Sequence, residues 1–163
     1  MTEAEFENGF AVVGRGDWLA GPDQPAAETE DRLWFAARGR PFLTRIDLGE
    51  RVSVVTAKLL VAPRSAAKRR RTVRLVPFSF RNAIGVRELE TGWAVTATAG
   101  RTARIVVGED ETLAVAPEAV VAWTGRRPNG FCPRLRLRDL LIPRKARLRL
   151  RFVGPCIVWV EGG

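Results

Sequence analysis

The stretch RIVVGEDETLAVAPEAVVAWTG, residues 104–125, decides how this chain reads. Apolar and polar residues alternate on both sides of Gly108-Glu109, the pattern of a half-buried strand, a turn and a second strand. An earlier stretch, RIDLGERVSVVTAKLLVA at 45–62, has the same plan. Both open on Arg-Ile, reach Gly-Glu at a turn, continue in apolar alternation and come to Val-Ala, at 61–62 and at 121–122. The expected local structure is a β-hairpin in each. Two related halves of this kind pack face to face and bury what neither buries alone.

Outward from these segments, the chain beyond residue 32 is a series of short apolar or alternating runs broken by Gly, Pro and charged turns. Strands are expected near 33–37, 42–48, 52–62, 72–80, 84–89, 93–99, 103–107, 112–116, 119–123, 134–140, 147–153 and 156–160. No segment keeps a helical period beyond two turns. Many short strands at this spacing indicate an all-β domain, a β-sandwich or barrel, compatible with two repeated halves. The Gly154-Pro155 pair is expected to interrupt a strand near the end of the chain. Residues 1–31 are poorly patterned, and 20–31 read as a loop or mobile linker. The expected organisation is therefore an acidic, partly mobile segment at 1–31 followed by one β-sandwich domain at 32–163.

Composition closes off several chemistries. The chain has 163 residues and no histidine or tyrosine. That excludes serine–histidine and cysteine–histidine nucleophile activation and imidazole acid–base work, and it removes the commonest transition-metal ligand. Two cysteines, Cys132 and Cys156, read as small buried apolar residues. No acids cluster beside a nucleophile or a glycine loop. The expectation is a protein without catalysis, cofactor or metal. There is no apolar run long enough for a membrane helix. The acidic start MTEAEFE lacks a positive region followed by an apolar stretch, so the expected setting is cytoplasmic.

The net charge of +9 is unevenly spread. Residues 1–31 hold eight acids and one base, whereas bases dominate the rest. An acidic arm of this kind can fold back on a basic body. Arg134, Arg136 and Arg138 alternate with leucine, as do Arg147, Arg149 and Arg151. In strands, each set places its guanidiniums on one face and its leucines on the other. If the two strands pair across a turn at 142–146, six arginines share a face. Like charges directly opposite destabilise a sheet unless acids or an anion intervene. Lys68, Arg69, Arg70 and Arg71 form a second basic cluster, expected as an exposed loop able to contact phosphates. These ten residues are the candidate polyanion-binding set, with ion pairing and edge solubility as the alternative roles. The five tryptophans lie mostly inside apolar runs and are expected in the core.

The 104–125 stretch, followed by RLRFVGPCIVWVEGG at 149–163, resembles the "altered inheritance of mitochondria, number twenty-four" family. The likeness rests on the Gly108-Glu109 turn, the strand at 113–122 and the strand at 152–160. Cys156 stands where the family usually has glycine. The resemblance implies the fold of the tryptophan-RNA-binding attenuation protein, a double-stranded β-helix or jelly-roll-like sandwich that is often oligomeric. It implies no established activity. The function expected is thus a binding or assembly module that self-associates, with nucleic acid or another polyanion as the alternative partner.

Overall fold

Short alternating runs become strands, and the apolar face of each strand selects its layer. The computed structural model describes residues 4–16, 18–20, 25–37, 39–74, 83–131 and 149–162. Among the described residues there are seventeen strands and no α-helix. The first five are β1 (Glu5–Glu7), β2 (Phe10–Gly14), β3 (Trp18–Ala20), β4 (Ala27–Glu28) and β5 (Arg32–Phe35). One run of six follows: β6 (Phe42–Leu48), β7 (Val52–Val55), β8 (Leu59–Pro63), β9 (Ala67–Arg74), β10 (Ala83–Leu89) and β11 (Gly92–Thr98). A second run comprises β12 (Thr102–Val107), β13 (Thr112–Val115), β14 (Val120–Thr124), β15 (Asn129–Phe131), β16 (Arg149–Val153) and β17 (Cys156–Glu161).

These strands form four antiparallel sheets: A (β1-β2-β5-β4), B (β3-β8-β11-β6), C (β12-β17-β14-β7-β10-β9) and D (β13-β16-β15). Three apolar clusters lie between them. Ala11, Val13 and Phe35 of sheet A meet Leu60, Val61, Trp93 and Val95 of sheet B. Ile46, Leu48, Leu59 and Ala94 on the other side of sheet B meet Val52, Val54, Val121 and Trp159 of sheet C. Val86, Val120, Trp123 and Val158 of sheet C meet Val115, Leu150 and Phe152 of sheet D. The result is an all-β stack of sandwiched sheets, as the strand spacing indicates. No helix is long and apolar enough to cross a membrane among the described residues.

The two runs of six have the same pairing order. β6-β11-β8 and β7-β10-β9 in the first correspond to β12-β17-β14 and β13-β16-β15 in the second. β14 pairs with β7, so sheet C takes three strands from each run. β3 occupies the other edge of β8, and the two remaining triplets stay in separate sheets.

This topology corrects the expected hairpins. β6 and β7 belong to different sheets, as do β12 and β13. The Gly-Glu turns carry the chain between layers. Ile46 and Leu48 face Val52 and Val54 across one core, and Ile105 and Val107 share another with Leu113 and Val115. Each turn therefore folds two apolar faces onto each other instead of laying two strands edge to edge. The expected strand 52–62 is likewise divided, with the chain crossing from sheet C to sheet B through residues 56–58. Gly154 and Pro155 make the corresponding passage from β16 in sheet D to β17 in sheet C. A Cβ on Gly154 would collide with the carbonyl oxygen of Gly108. The two corners of the second run thus touch through backbone.

The boundary expected at residue 31 falls inside sheet A. β5, which begins at Arg32, pairs with β2 and β4. The acidic segment contributes strands to the stack, and one of its acids, Glu28, pairs with its own Arg15 at 3.3 Å.

A polar clamp ties chain segments distant in sequence. Lys58 Nζ lies 2.5 Å from a Glu161 carboxylate oxygen, and both side chains are mostly buried. The other Glu161 oxygen accepts from the backbone N–H groups of Ala99 and Gly100. Burial opposes ionisation of Glu161, but Lys58 and these N–H donors outweigh it and hold the carboxyl below its usual range.

A carboxyl with a lowered folded-state pKa stabilises the protein above its unfolded pKa, and that stability is lost as pH falls through the folded value. Glu161→Ala should cost about 3 kcal/mol at neutral pH. It should also flatten the loss of stability below about pH 4, as read by urea denaturation across pH. Phe152, fully buried with its ring edge-on to Trp123 at 5.9 Å, should cost about 3–5 kcal/mol on truncation to alanine, measured as a lower denaturation midpoint.

Candidate basic surface and cleft

Sheet C ends in two edge strands of opposite character. β9, AKRRRTVR, carries Lys68, Arg69, Arg70, Arg71 and Arg74, whereas β12, TARIVV, has Arg104 as its single charge. The first basic cluster is therefore an edge strand and not the loop expected from sequence. Its charged residues share the strand with Ala67 and Val73, which pack into the cores, so the segment is extended and amphipathic.

Pairing with β10 divides the cluster between two faces. Arg69 stands opposite Glu88 and Arg71 opposite Val86, while Arg70 stands opposite Arg87. Arg71 reaches the largely buried carboxylate of Glu88 at 3.2 Å. Lys68 and Arg51 hold the two oxygens of Glu90 at 2.6 and 2.7 Å. These two hydrogen bonds lower the Glu90 carboxyl below its usual range. Acids thus answer half of the basic strand, as sheet energetics require when like charges crowd.

These ion pairs line a cleft of about 490 Å³ with Val86 and Trp123 in its wall. Arg51, Arg71 and Arg127 face Glu50, Glu88 and Glu90 around it. The lining charges balance, so the cleft is a mixed polar surface over an apolar floor. Arg70 and Arg87 differ. No acid partners either of them among the described residues, and Arg87 Nε is buried without an acceptor.

Of the second basic set, Arg149 and Arg151 lie on β16 with Leu150 and Phe152 turned inward. The expected alternation holds there. The neighbours of β16 are β13 and β15, which set Arg151 opposite Ala114 and Asn129. Arg134, Arg136, Arg138 and Arg147 lie outside the described residues. Three of the five tryptophans take core positions, since Trp93, Trp123 and Trp159 are buried; Trp18 and Trp34 are half-buried, and the Trp18 ring lies tilted at 5.4 Å from Trp93. Cys156 is a free, buried thiol whose pKa is raised by burial, and Cys132 lies outside the described residues.

Sequence reasoning missed Arg87, Arg51, Glu88 and Glu90. Arg87 is followed directly by Glu88 and looks like half of a local ion pair, and its significance comes from the register that puts it beside Arg70.

The fold places the chain among all-β proteins built of stacked antiparallel sheets. A crystal structure of a Streptococcus pyogenes protein from a structural genomics consortium superposes with a TM-score of 0.69 at 12% identity, covering 99% of this chain and 92% of that one. No known protein family and no curated protein matches the sequence.

Glu90→Gln should release Lys68 and Arg51 and move elution from heparin resin to higher salt without changing the circular dichroism spectrum. An unchanged elution position would mean that neither cation faces the matrix.

Proposed function

We propose that this chain is a binding and assembly module that forms a homodimer through the edge of β12 that no strand covers among the described residues, and has no catalytic role. The carrying observation is the contrast between the two margins of sheet C. An edge strand offers unpaired N–H and C=O groups to any second strand, and charged side chains are the usual guard. β9 is guarded by five cations, and β12 is not. Val106 on β12 is 62% exposed.

The ends of β12 support pairing with a second copy. Arg101 lies just before it, Arg104 is its third residue, Glu109 and Asp110 lie just beyond its end, and none has an ionic partner among the described residues. Antiparallel pairing about a twofold axis near Ile105 brings the basic end of each copy to the acidic end of the other. The interface is then isologous and self-complementary in charge. The suspected kinship with the "altered inheritance of mitochondria, number twenty-four" family agrees with an oligomer, and a cytoplasmic setting belongs to the same proposal.

The alternative, a nucleic-acid or other polyanion surface along the arginine strands, draws support from the net charge of +9 and from Arg70 and Arg149, which have no ionic partner among the described residues. It is weakened by the acids that neutralise Lys68 and Arg71.

Sedimentation should show a dimer. Arg101→Glu with Arg104→Glu makes both ends acidic, and Glu109→Lys with Asp110→Lys makes both ends basic. Each double variant should self-associate on the order of a hundredfold more weakly, and an equimolar mixture should restore the dimer. A wild-type monomer at all concentrations, or double variants that dimerise as well as wild type, would overturn the proposal.

A further inference from the structure

On the face of sheet C that carries Arg70 and Arg87, a glycine leaves a gap between side chains. Two rows of side chains cross β7, β10 and β9. Val54, Arg87 and Arg70 make one row by direct cross-strand pairing. Thr56, Gly85 and Thr72 make the next. Thr72 is the register partner of Gly85, and the Thr56 amide donates to the Gly85 carbonyl at 2.9 Å. A Cβ built on Gly85 would lie 3.6 Å from Thr56 Oγ1, so the threonine hydroxyl is on the same face as the two guanidiniums. With no side chain at Gly85, the floor between the arginines and threonines is open.

Two polar groups beside this gap can donate and meet no acceptor among the described residues. Thr56 Oγ1 and Arg87 Nε are buried and have no hydrogen-bond partner among the described residues. Arg70 stands directly opposite Arg87, with no acid on either among the described residues. Side chains of like charge in this position repel, and a buried donor without an acceptor is a rare, costly feature. Both costs are removed by an anion with several acceptor oxygens.

We infer that Arg70, Arg87 and the threonines beside Gly85 form a binding site for a phosphate dianion, as inorganic phosphate or as the terminal group of a phosphomonoester. Arg87 turns its Nε edge to the anion, Arg70 closes over it from the neighbouring strand, and the Thr56 and Thr72 hydroxyls donate to the remaining oxygens. The ligand is a discrete phosphate group and not a polyanion chain, because the flanking cations Lys68 and Arg71 are already held by Glu90 and Glu88. The site is separate from the β12 edge, so it stands or falls independently of dimer formation.

The test uses the full chain at constant ionic strength, with chloride replaced stepwise by inorganic phosphate, by an alkyl phosphomonoester or by a dialkyl phosphodiester. Thermal unfolding and the Arg87 Nε–Hε resonance are followed. Phosphate and the monoester should raise the unfolding temperature and shift that resonance, with the diester on the order of tenfold weaker. A larger effect of the monoester than of inorganic phosphate assigns the ester as the source, and the reverse order assigns the free anion; either order supports the site. Arg87→Met and Arg70→Gln should abolish the response. Gly85→Val should also abolish it by filling the gap while leaving every charge in place. Arg87→Met removes an unpaired donor, so it should fold at least as stably as wild type without phosphate. A wild-type protein indifferent to phosphate, a response that survives all three substitutions, or an unphosphorylated oligonucleotide that binds more tightly than the monoester would overturn the site.

Discussion

The architecture depends on a sheet that is apolar on both faces. All five residues of β14 are buried, and neighbouring residues of β7 and β17 alternate between the core shared with sheet B and the core shared with sheet D. Such a sheet is stable only with a layer on each side. Sheets B and D supply those layers, and sheet A covers the far side of sheet B. The stack follows from this requirement, since each strand of β8 and β11 also presents apolar side chains in two directions.

The same requirement explains why the chain leaves one sheet for another at its Gly-Glu turns. A strand that ends with its apolar face over a core is best followed by a strand that closes the core from the opposite side. The near-identical pairing order of the two runs of six repeats this solution. Backbone contact between Gly154 and Gly108 locks the second instance, and the Glu161 clamp locks the turn that joins the runs. The Streptococcus pyogenes protein shares the fold across nearly the full length of both chains at 12% identity, as expected when pattern and layer order, rather than particular side chains, specify the arrangement.

Charge is distributed according to which margins are covered. Acids on β10 and in its following turn answer Lys68 and Arg71, so the arginine-rich edge is substantially neutral on the side of the cleft. On the opposite face two arginines are left facing each other. At the other margin, β12 carries Arg104 alone and is bracketed by Arg101 before and two acids after. Net charge alone therefore says little about where this molecule meets a partner. The unpaired groups and the unguarded edge carry that information.

Strand content, the inward leucines of β16 and the core placement of Trp93, Trp123 and Trp159 were legible in the amino-acid order, because side-chain alternation is a local property of extended backbone. The strand nature of 67–71 was not, since a run of four cations there reads as an exposed loop before the strand expected from 72. The β6–β7 and β12–β13 connections looked like hairpins because a strand, turn, strand pattern is the same whether the second strand lies beside the first or across a core from it. The meeting of Arg70 with Arg87 was also decided only by tertiary structure. It depends on the register of β9 against β10, which shifts at Glu88/Leu89, and a slip of one residue reverses the face of every side chain. Local sequence set which residues turn inward along each strand; long-range packing chose which strands became neighbours, and with them which charges met an acid and which did not.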